Sequence, residues 1–324
     1  MIKIIETPRD ALQGISNFIP TQEKIRIINL LLQAGFDTVE VGSFVSDQAI
    51  PQMADTAEVL KGLDVSGSKS RIMVLVGNKR GGNEAVQSSK INVQSGGVHR
   101  AKSLEQFCAD CRPLTADREP GTGNRELRTD GVDDILYPFS VSPSFLKRNL
   151  NSDVDRAKGT ILDLMEICEL HRKRLIVCLT MAFGNPYGDK WDPGIVEEWT
   201  GYLYEFGHRV IPLSDILGKV TPETITRVYS RLIKTFPEVE FGIHLHSRPG
   251  EEYDKIDAAW KAGVRRFDTV TGGFGGCPMA DDHLVGNLDT FALIDYCEKN
   301  GIEHGLDVGL LKKVKEDWMK IFEN

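Results

Sequence analysis

The chain has little of what marks a secreted, membrane-spanning or nucleic-acid-binding protein. Its 324 residues include six cysteines, Cys108, Cys111, Cys168, Cys178, Cys277 and Cys297. That is too sparse for a disulfide scaffold, and free thiols in a reducing cytosol are the expectation. MIKIIETPRD opens on a strand-like segment without a basic n-region or an apolar h-region, so a cytoplasmic location is expected. No apolar run approaches the ~20 residues of a membrane span. Basic residues are outnumbered, 39 Lys and Arg against 47 Asp and Glu, and the net charge of −8 argues against a nucleic-acid partner. No glycine-rich phosphate fingerprint follows the first apolar run, which argues against a Rossmann site. What is left is an ordinary globular composition, 41% hydrophobic and 27% charged. The length suits two small domains or one large α/β domain, and barrels commonly fill this range as one.

Short apolar runs alternate with amphipathic ones along the chain. Strand-like segments are IKIIET, TVEVGSF, RIMVLVG, VDDILYPFS, RLIVCLTMAF, RVIPLSD, FGIHLH and RRFDTVTG, each followed by a helical pattern. Thr21 is the candidate N-cap of the first helix, with Glu23 in its first turn and Gly35 at its end. The strands are continuous apolar runs, as parallel strands covered on both faces require. Eight such units predict an α/β fold, a (β/α)8 TIM barrel, with GLLKKVKEDWMKIFEN as an extra C-terminal helix. A doubly wound open sheet is the alternative. A polar insertion without sustained period, residues 88–130, precedes the fourth strand and reads as a flexible surface excursion on a single catalytic domain spanning 1–324. It carries Cys108-Ala-Asp-Cys111, and one C-x-x-C without a second pair or a suitably spaced His is weak evidence for zinc.

FGIHLHSRPG carries the chemistry. In a strand, residues i and i+2 point to one side, so His244 and His246 face a common point. Two neutral imidazoles so placed suit a divalent metal, and the plainer reading is two polar side chains finding carbonyl partners at a strand end. In a barrel the site is built from strand C-terminal ends and βα loops. That rule selects Arg9 and Asp10 after strand one, Glu40 on strand two, Asp215 ending strand six, the two histidines on strand seven, and Cys277 and Asn287 after strand eight. A carboxylate, two imidazoles and an amide oxygen at one mouth suit Mg²⁺, Mn²⁺ or a similar ion. Each residue also has a structural reading. Arg9 and Asp10 make an exposed ion pair, Glu40 pairs with Arg9, Asp215 and Asn287 cap the helices that follow them, and Cys277 fills space.

At these residues the sequence resembles the 3-hydroxy-3-methylglutaryl-CoA lyases, within the metal-dependent barrel family that also holds the isopropylmalate and homocitrate synthases. TPRDALQ resembles the family's G-P-R-D-G-L-Q opening. VEVGSFVSDQAIPQMADTAEVL shares S-F-V-S and P-Q-M with the lyases. LTMAFGNPYGD is similar to their C-x-x-G-C-P-Y region, and SDILGKVTPE to G-D-T-I-G-x-x-T-P. HLH stands where the family has H-C-H, GFGGCPMA where lyases have G-L-G-G-C-P-Y-A, and VGNL matches G-N-L. The resemblance implies that Asp10, His244, His246 and Asn287 bind a divalent metal, Mg or Mn. It implies that Arg9 stabilises enolate charge and that Cys277, on a glycine-rich lid loop, takes part in proton transfer. Asp215 and Glu40 would support the acid–base network, and His244 would serve both as ligand and in proton movement. An acyl-CoA substrate and a homodimer are further implications.

The departures surround the acyl group. Ser247 to Glu251 replace the family's D-T-Y-G-Q, Met279 replaces a Tyr, and Ala11 stands for a Gly. The expected activity is cleavage of 3-hydroxy-3-methylglutaryl-CoA, or a close 3-hydroxyacyl-CoA, to acetyl-CoA and acetoacetate or the matching 3-oxoacid. The alternatives are a Claisen-type condensing synthase or hydroxy-ketoacid aldolase, and a non-catalytic metal- or acyl-binding barrel.

Overall fold

The computed structural model describes residues 1–88, 131–276 and 285–322. The predicted insertion lies outside the described residues except for Ser88, as do Cys108, Cys111 and Cys277.

The strands are β1 (Lys3–Glu6), β2 (Thr38–Phe44), β3 (Arg71–Val76), β4 (Asp134–Ser140), β5 (Arg174–Thr180), β6 (Val210–Asp215), β7 (Glu240–Leu245) and β8 (Arg266–Thr269). They pair in chain order as a closed parallel barrel, and β1 meets β8 from Lys3↔Arg266 to Glu6↔Thr269. Closure rules out the open doubly wound sheet.

The helices are α1 (Pro8–Leu12), α2 (Thr21–Gln33), α3 (Thr56–Gly62), α4 (Lys79–Gln87), α5 (Pro143–Asn149), α6 (Val154–Leu170), α7 (Pro193–Glu205), α8 (Pro222–Thr235), α9 (Glu252–Ala262), α10 (Thr290–Lys299) and α11 (Val308–Phe322). Their starts are chemically marked. The Asp153 side chain accepts from Arg156 N at the head of α6, and Thr221 accepts from Thr224 N ahead of Pro222 in α8. On α8 the buried face is Ile225, Val228, Tyr229 and Leu232, the i, i+3, i+4, i+7 spacing of a helix laid on a sheet.

Local details differ from the sequence reading. Pro20, not Thr21, occupies the N-cap of α2, and the Thr21 hydroxyl instead donates to Asp55 Oδ2 at 2.8 Å. Asp289, not Asn287, caps α10. Arg9 and Asp10 sit inside a short helix that starts directly after β1, with Pro8 at its first position. The additional helix α5, capped by Ser142, follows β4.

Outward-facing strand residues and the helix faces make one continuous core. A separate cluster of Ile5, Met73, Leu136, Ile176 and Cys178, drawn from β1, β3, β4 and β5, fills the barrel interior. Below it, Asp134 is fully enclosed and paired with Arg71 on β3 at 2.5 Å and Arg174 on β5 at 2.7 Å. The N-terminal end of the barrel is thus closed by a charge cluster, and the opposite end is left for chemistry.

Candidate metal centre

Strand register brings the predicted residues together. Ser214 on β6, His244 on β7 and Asp268 on β8 are aligned Cα partners, so their side chains enter the same layer of the barrel. Asp10 reaches that layer from α1. Three atoms converge there. Asp10 Oδ2 lies 3.4 Å from His244 Nε2 and 3.9 Å from His246 Nε2, and the two Nε2 atoms are 3.4 Å apart. Ligand atoms spaced in this way share a centre about 2.1 Å from each, the distance of a compact divalent cation to its ligands.

Each member is held from behind. Asp10 Oδ1 accepts from Arg9 Nη1 at 3.0 Å and from Gln13 Nε2, which leaves Oδ2 for the histidines. Arg9 Nε donates to Glu40 Oε1 at 2.8 Å, and Nη1 also donates to Gln13 Oε1 at 2.9 Å. Glu40 precedes a register shift between β2 and β3, an irregularity of the kind found beside active sites. His246 Nδ1 lies 3.0 Å from the Val285 carbonyl oxygen, so it carries the proton and Nε2 keeps its lone pair. The segment after β8 runs antiparallel to the end of β7. Ser247 N donates to Gly286 O and Leu288 N to Leu245 O, which sets Asn287 beside His246. Asn287 Nδ2 donates to Phe274 O at 2.9 Å.

Electrostatics separate the two histidines. Burial depresses both, but at His244 the carboxylates of Asp10 and Asp268 outweigh it and push the pKa up to about 10. The His246 side chain is less exposed, 2% against 14% for His244, Asp10 only partly offsets the burial, and its pKa falls to about 4. Burial acts against ionisation of Asp10, but Arg9, His244 and His246 hold it well below the usual carboxylate range. Burial raises Glu40 against the pull of Arg9.

Do these residues suit a cation? Asp10 Oδ2 and Asn287 Oδ1 are both buried and have no hydrogen-bond partner. Buried orphan acceptors are costly unless something satisfies them. Two orphan oxygens and two imidazole nitrogens form a mixed N/O donor set, which fits a divalent ion.

The other expected residues divide. Arg9 pairs with Glu40 as expected, and its pair with Asp10 is buried, not exposed. Asp215 ends β6 as predicted, but its Oδ2 accepts from Val220 N at 2.8 Å, so its carboxylate is turned to its own loop. Cys277 is outside the described residues. The chain two residues before it passes hard against α1: a Cβ on Gly275, where φ is +79°, would meet Ala11 Cα at 2.6 Å and Asp10 O at 2.7 Å. Only glycine fits there. Sequence reasoning missed Gln13 and Asp268. Asp268 Oδ2 lies 3.4 Å from His244 Nδ1. A carboxylate in mid-strand within an apolar run was the available signal.

Comparison with known proteins agrees with this geometry. The sequence model of the HMGL-like family matches residues 125–317. Mitochondrial hydroxymethylglutaryl-CoA lyase of Bos taurus is 29% identical over 308 residues, covering 95% of this chain and 81% of that protein. The cytoplasmic 3-hydroxy-3-methylglutaryl-CoA lyase of Mus musculus is 28% identical, covering 95% and 77%. An HMG-CoA lyase from A. baumannii, solved with coenzyme A and 3-methylmalate, superposes with a TM-score of 0.78 at 26% identity, covering 97% of this chain and 89% of its own. The closed barrel, the Asp–His–His cluster at its C-terminal mouth and a family match across more than half of the sequence lead to one conclusion: this chain belongs to the HMGL-like family.

Proposed function

We propose that the protein is a divalent-metal-dependent carbon–carbon lyase that cleaves 3-hydroxy-3-methylglutaryl-CoA, or a close 3-hydroxyacyl-CoA, to acetyl-CoA and acetoacetate or the matching 3-oxoacid. The observation that carries this reading is the convergence of Asp10, His244 and His246 on one point within 4.8 Å of one another. Asp10, His244, His246 and Asn287 would hold the ion, Mg²⁺ or Mn²⁺. The ion, when bound, supplies a Lewis acid that lowers the pKa of a substrate hydroxyl.

The chain's own residues account for the rest. Cleavage takes the proton from the C3 hydroxyl, forms the C3 carbonyl, breaks C2–C3 and leaves the electron pair on C2 as a thioester enolate. Arg9, fixed by Glu40 and Gln13, sets a preorganised positive charge where the enolate oxygen develops. The hydroxyl proton needs an acceptor within hydrogen-bond reach. Glu40, paired with Arg9 at this mouth, would support that acid–base work. His244 would serve as a ligand through Nε2, which faces Asp10 Oδ2, and would also take part in proton movement. Asp215 organises the loop after β6 and supports the site indirectly. Cys277 is assigned the return of a proton to C2.

The whole chain, 1–324, acts as one catalytic barrel. A homodimer and a cytoplasmic location complete the proposal. Among the described residues no helix is long and apolar enough to cross a membrane.

The test is incubation of 3-hydroxy-3-methylglutaryl-CoA with Mn²⁺-loaded protein and no acceptor ketoacid. Release of acetyl-CoA and acetoacetate in equal amounts is the expected result. Metal binding with no cleavage of this or any bulkier 3-hydroxyacyl-CoA would leave the condensing or binding readings in its place.

A further inference from the structure

Each ring nitrogen of His244 faces a carboxylate. Nε2 is 3.4 Å from Asp10 Oδ2, and Nδ1 is 3.4 Å from Asp268 Oδ2. The second contact is set by strand pairing, because His244 and Asp268 are directly aligned on β7 and β8. Asp268 is buried, and its Oδ1 has no hydrogen-bond partner. Among the described residues, His244 is its one ion-pair partner. Nothing in the proposed reaction yet uses it.

The two histidines of the cluster are oriented by different means. His246 Nδ1 is held by a main-chain carbonyl, that of Val285. His244 Nδ1 faces the side-chain carboxylate of Asp268. An imidazole that offers Nε2 to a cation must keep its proton on Nδ1, and the acceptor of that proton fixes both tautomer and ring plane. A carboxylate acceptor also makes the imidazole a stronger donor than a carbonyl does.

We propose that Asp268 is a positioning residue that fixes the tautomer and ring orientation of His244, so that its Nε2 points at Asp10 and His246. This rests on the reading of the cluster as a divalent metal centre. Asp268 contacts neither the ion nor the reacting atoms, and it acts through His244.

The test is Mn²⁺ affinity, read from the resonance of free Mn²⁺ during titration of metal-stripped protein. Wild type, Asp268→Asn and Asp268→Ala are compared, with thermal midpoints measured on the same metal-free samples. Loss of an outer-shell carboxylate of this kind weakens metal binding about 10–100-fold. Asp268→Ala is expected in that range. Asp268→Asn, which keeps a carbonyl acceptor and the side-chain shape, is expected between it and wild type, with a midpoint close to wild type. Should the alanine variant fail to fold, the asparagine variant decides alone. Binding by Asp268→Asn and Asp268→Ala within twofold of wild type would overturn the assignment, and so would losses that only follow the thermal midpoint. No Mn²⁺ binding by wild type would remove the metal reading itself, and this assignment with it.

Discussion

Arg9 and Glu40 form an enclosed pair at the centre of the site: Arg9 Nε and Nη2 lie 2.8 and 2.7 Å from the same oxygen, Glu40 Oε1. Two N–H groups on one acceptor fix the plane of the guanidinium, and Nη1 is directed to Asp10 and Gln13. The residue proposed to meet enolate charge is therefore locked to a residue proposed to hold the ion.

That geometry makes Arg9→Lys far from conservative. An ammonium cannot reproduce the fork. kcat is expected to fall about 10²–10³-fold, the loss typical of one preorganised donor to a developing oxyanion. KM should change much less, and steady-state kinetics at saturating Mn²⁺ separate the two. Equal changes in both would place Arg9 in ground-state binding.

Removing the partner has a different signature. Glu40→Ala leaves the buried guanidinium without its main counter-charge, and a loss of about 3–5 kcal/mol of stability is expected. Glu40→Gln keeps an acceptor and should lose less. Urea denaturation of the two variants gives the ordering, and equal midpoints would contradict it.

At the opposite end of the barrel, Asp134→Ala should also destabilise, because it strands Arg71 and Arg174. Both guanidinium side chains are about a third exposed, 36% and 35%, so water takes up part of the loss. About 2–3 kcal/mol is expected, short of the full penalty for a buried break. Mn²⁺ affinity, measured alongside, should stay at the wild-type value, because this end lies across the barrel from the metal cluster.

Stability should depend on pH through Glu6, which is fully enclosed behind β8. Its oxygens accept from Thr271 N at 2.8 Å and Thr290 Oγ1 at 3.0 Å. Burial dominates these bonds and raises its pKa from 4.5 to about 8. A group raised on folding contributes stability that is fully present below pH 4.5 and is lost as pH rises towards about 8. Each pH unit in that window costs up to about 1.4 kcal/mol. Glu6→Gln, neutral throughout, should flatten the thermal midpoint between pH 5 and 8, where wild type declines. Parallel profiles for the two proteins would show that Glu6 ionises freely.

Most of the barrel was readable in the sequence because its strands are buried on both faces. TVEVGSF and RLIVCLT have no competing periodicity, and β2 spans Thr38–Phe44 as read. Arg9, Asp10, His244 and His246 lie at or just past strand ends, where the barrel rule directs attention, and the fold brings Glu40 and Asn287 to the same mouth. Three features were not readable. The helical turn α1 is five residues long, too short to show a period. The contact between Asp268 and His244 depends on how two strands align, and one sequence does not contain that alignment. Asp215 ends its strand as read, but the contact of its carboxylate with the backbone N–H of Val220 belongs to a loop shape that no motif announces.

The most direct test of the whole account is turnover of 3-hydroxy-3-methylglutaryl-CoA by chelator-stripped protein, before and after Mg²⁺ or Mn²⁺ is restored, with His246→Ala in parallel. The account predicts no acetoacetate from the stripped protein and release on metal addition. In the variant, Mn²⁺ affinity should fall by more than the roughly 10–100-fold of an outer-shell loss, and turnover should fall with it. Undiminished turnover after complete removal of metal, or a His246→Ala protein that binds Mn²⁺ and cleaves as wild type does, would contradict it.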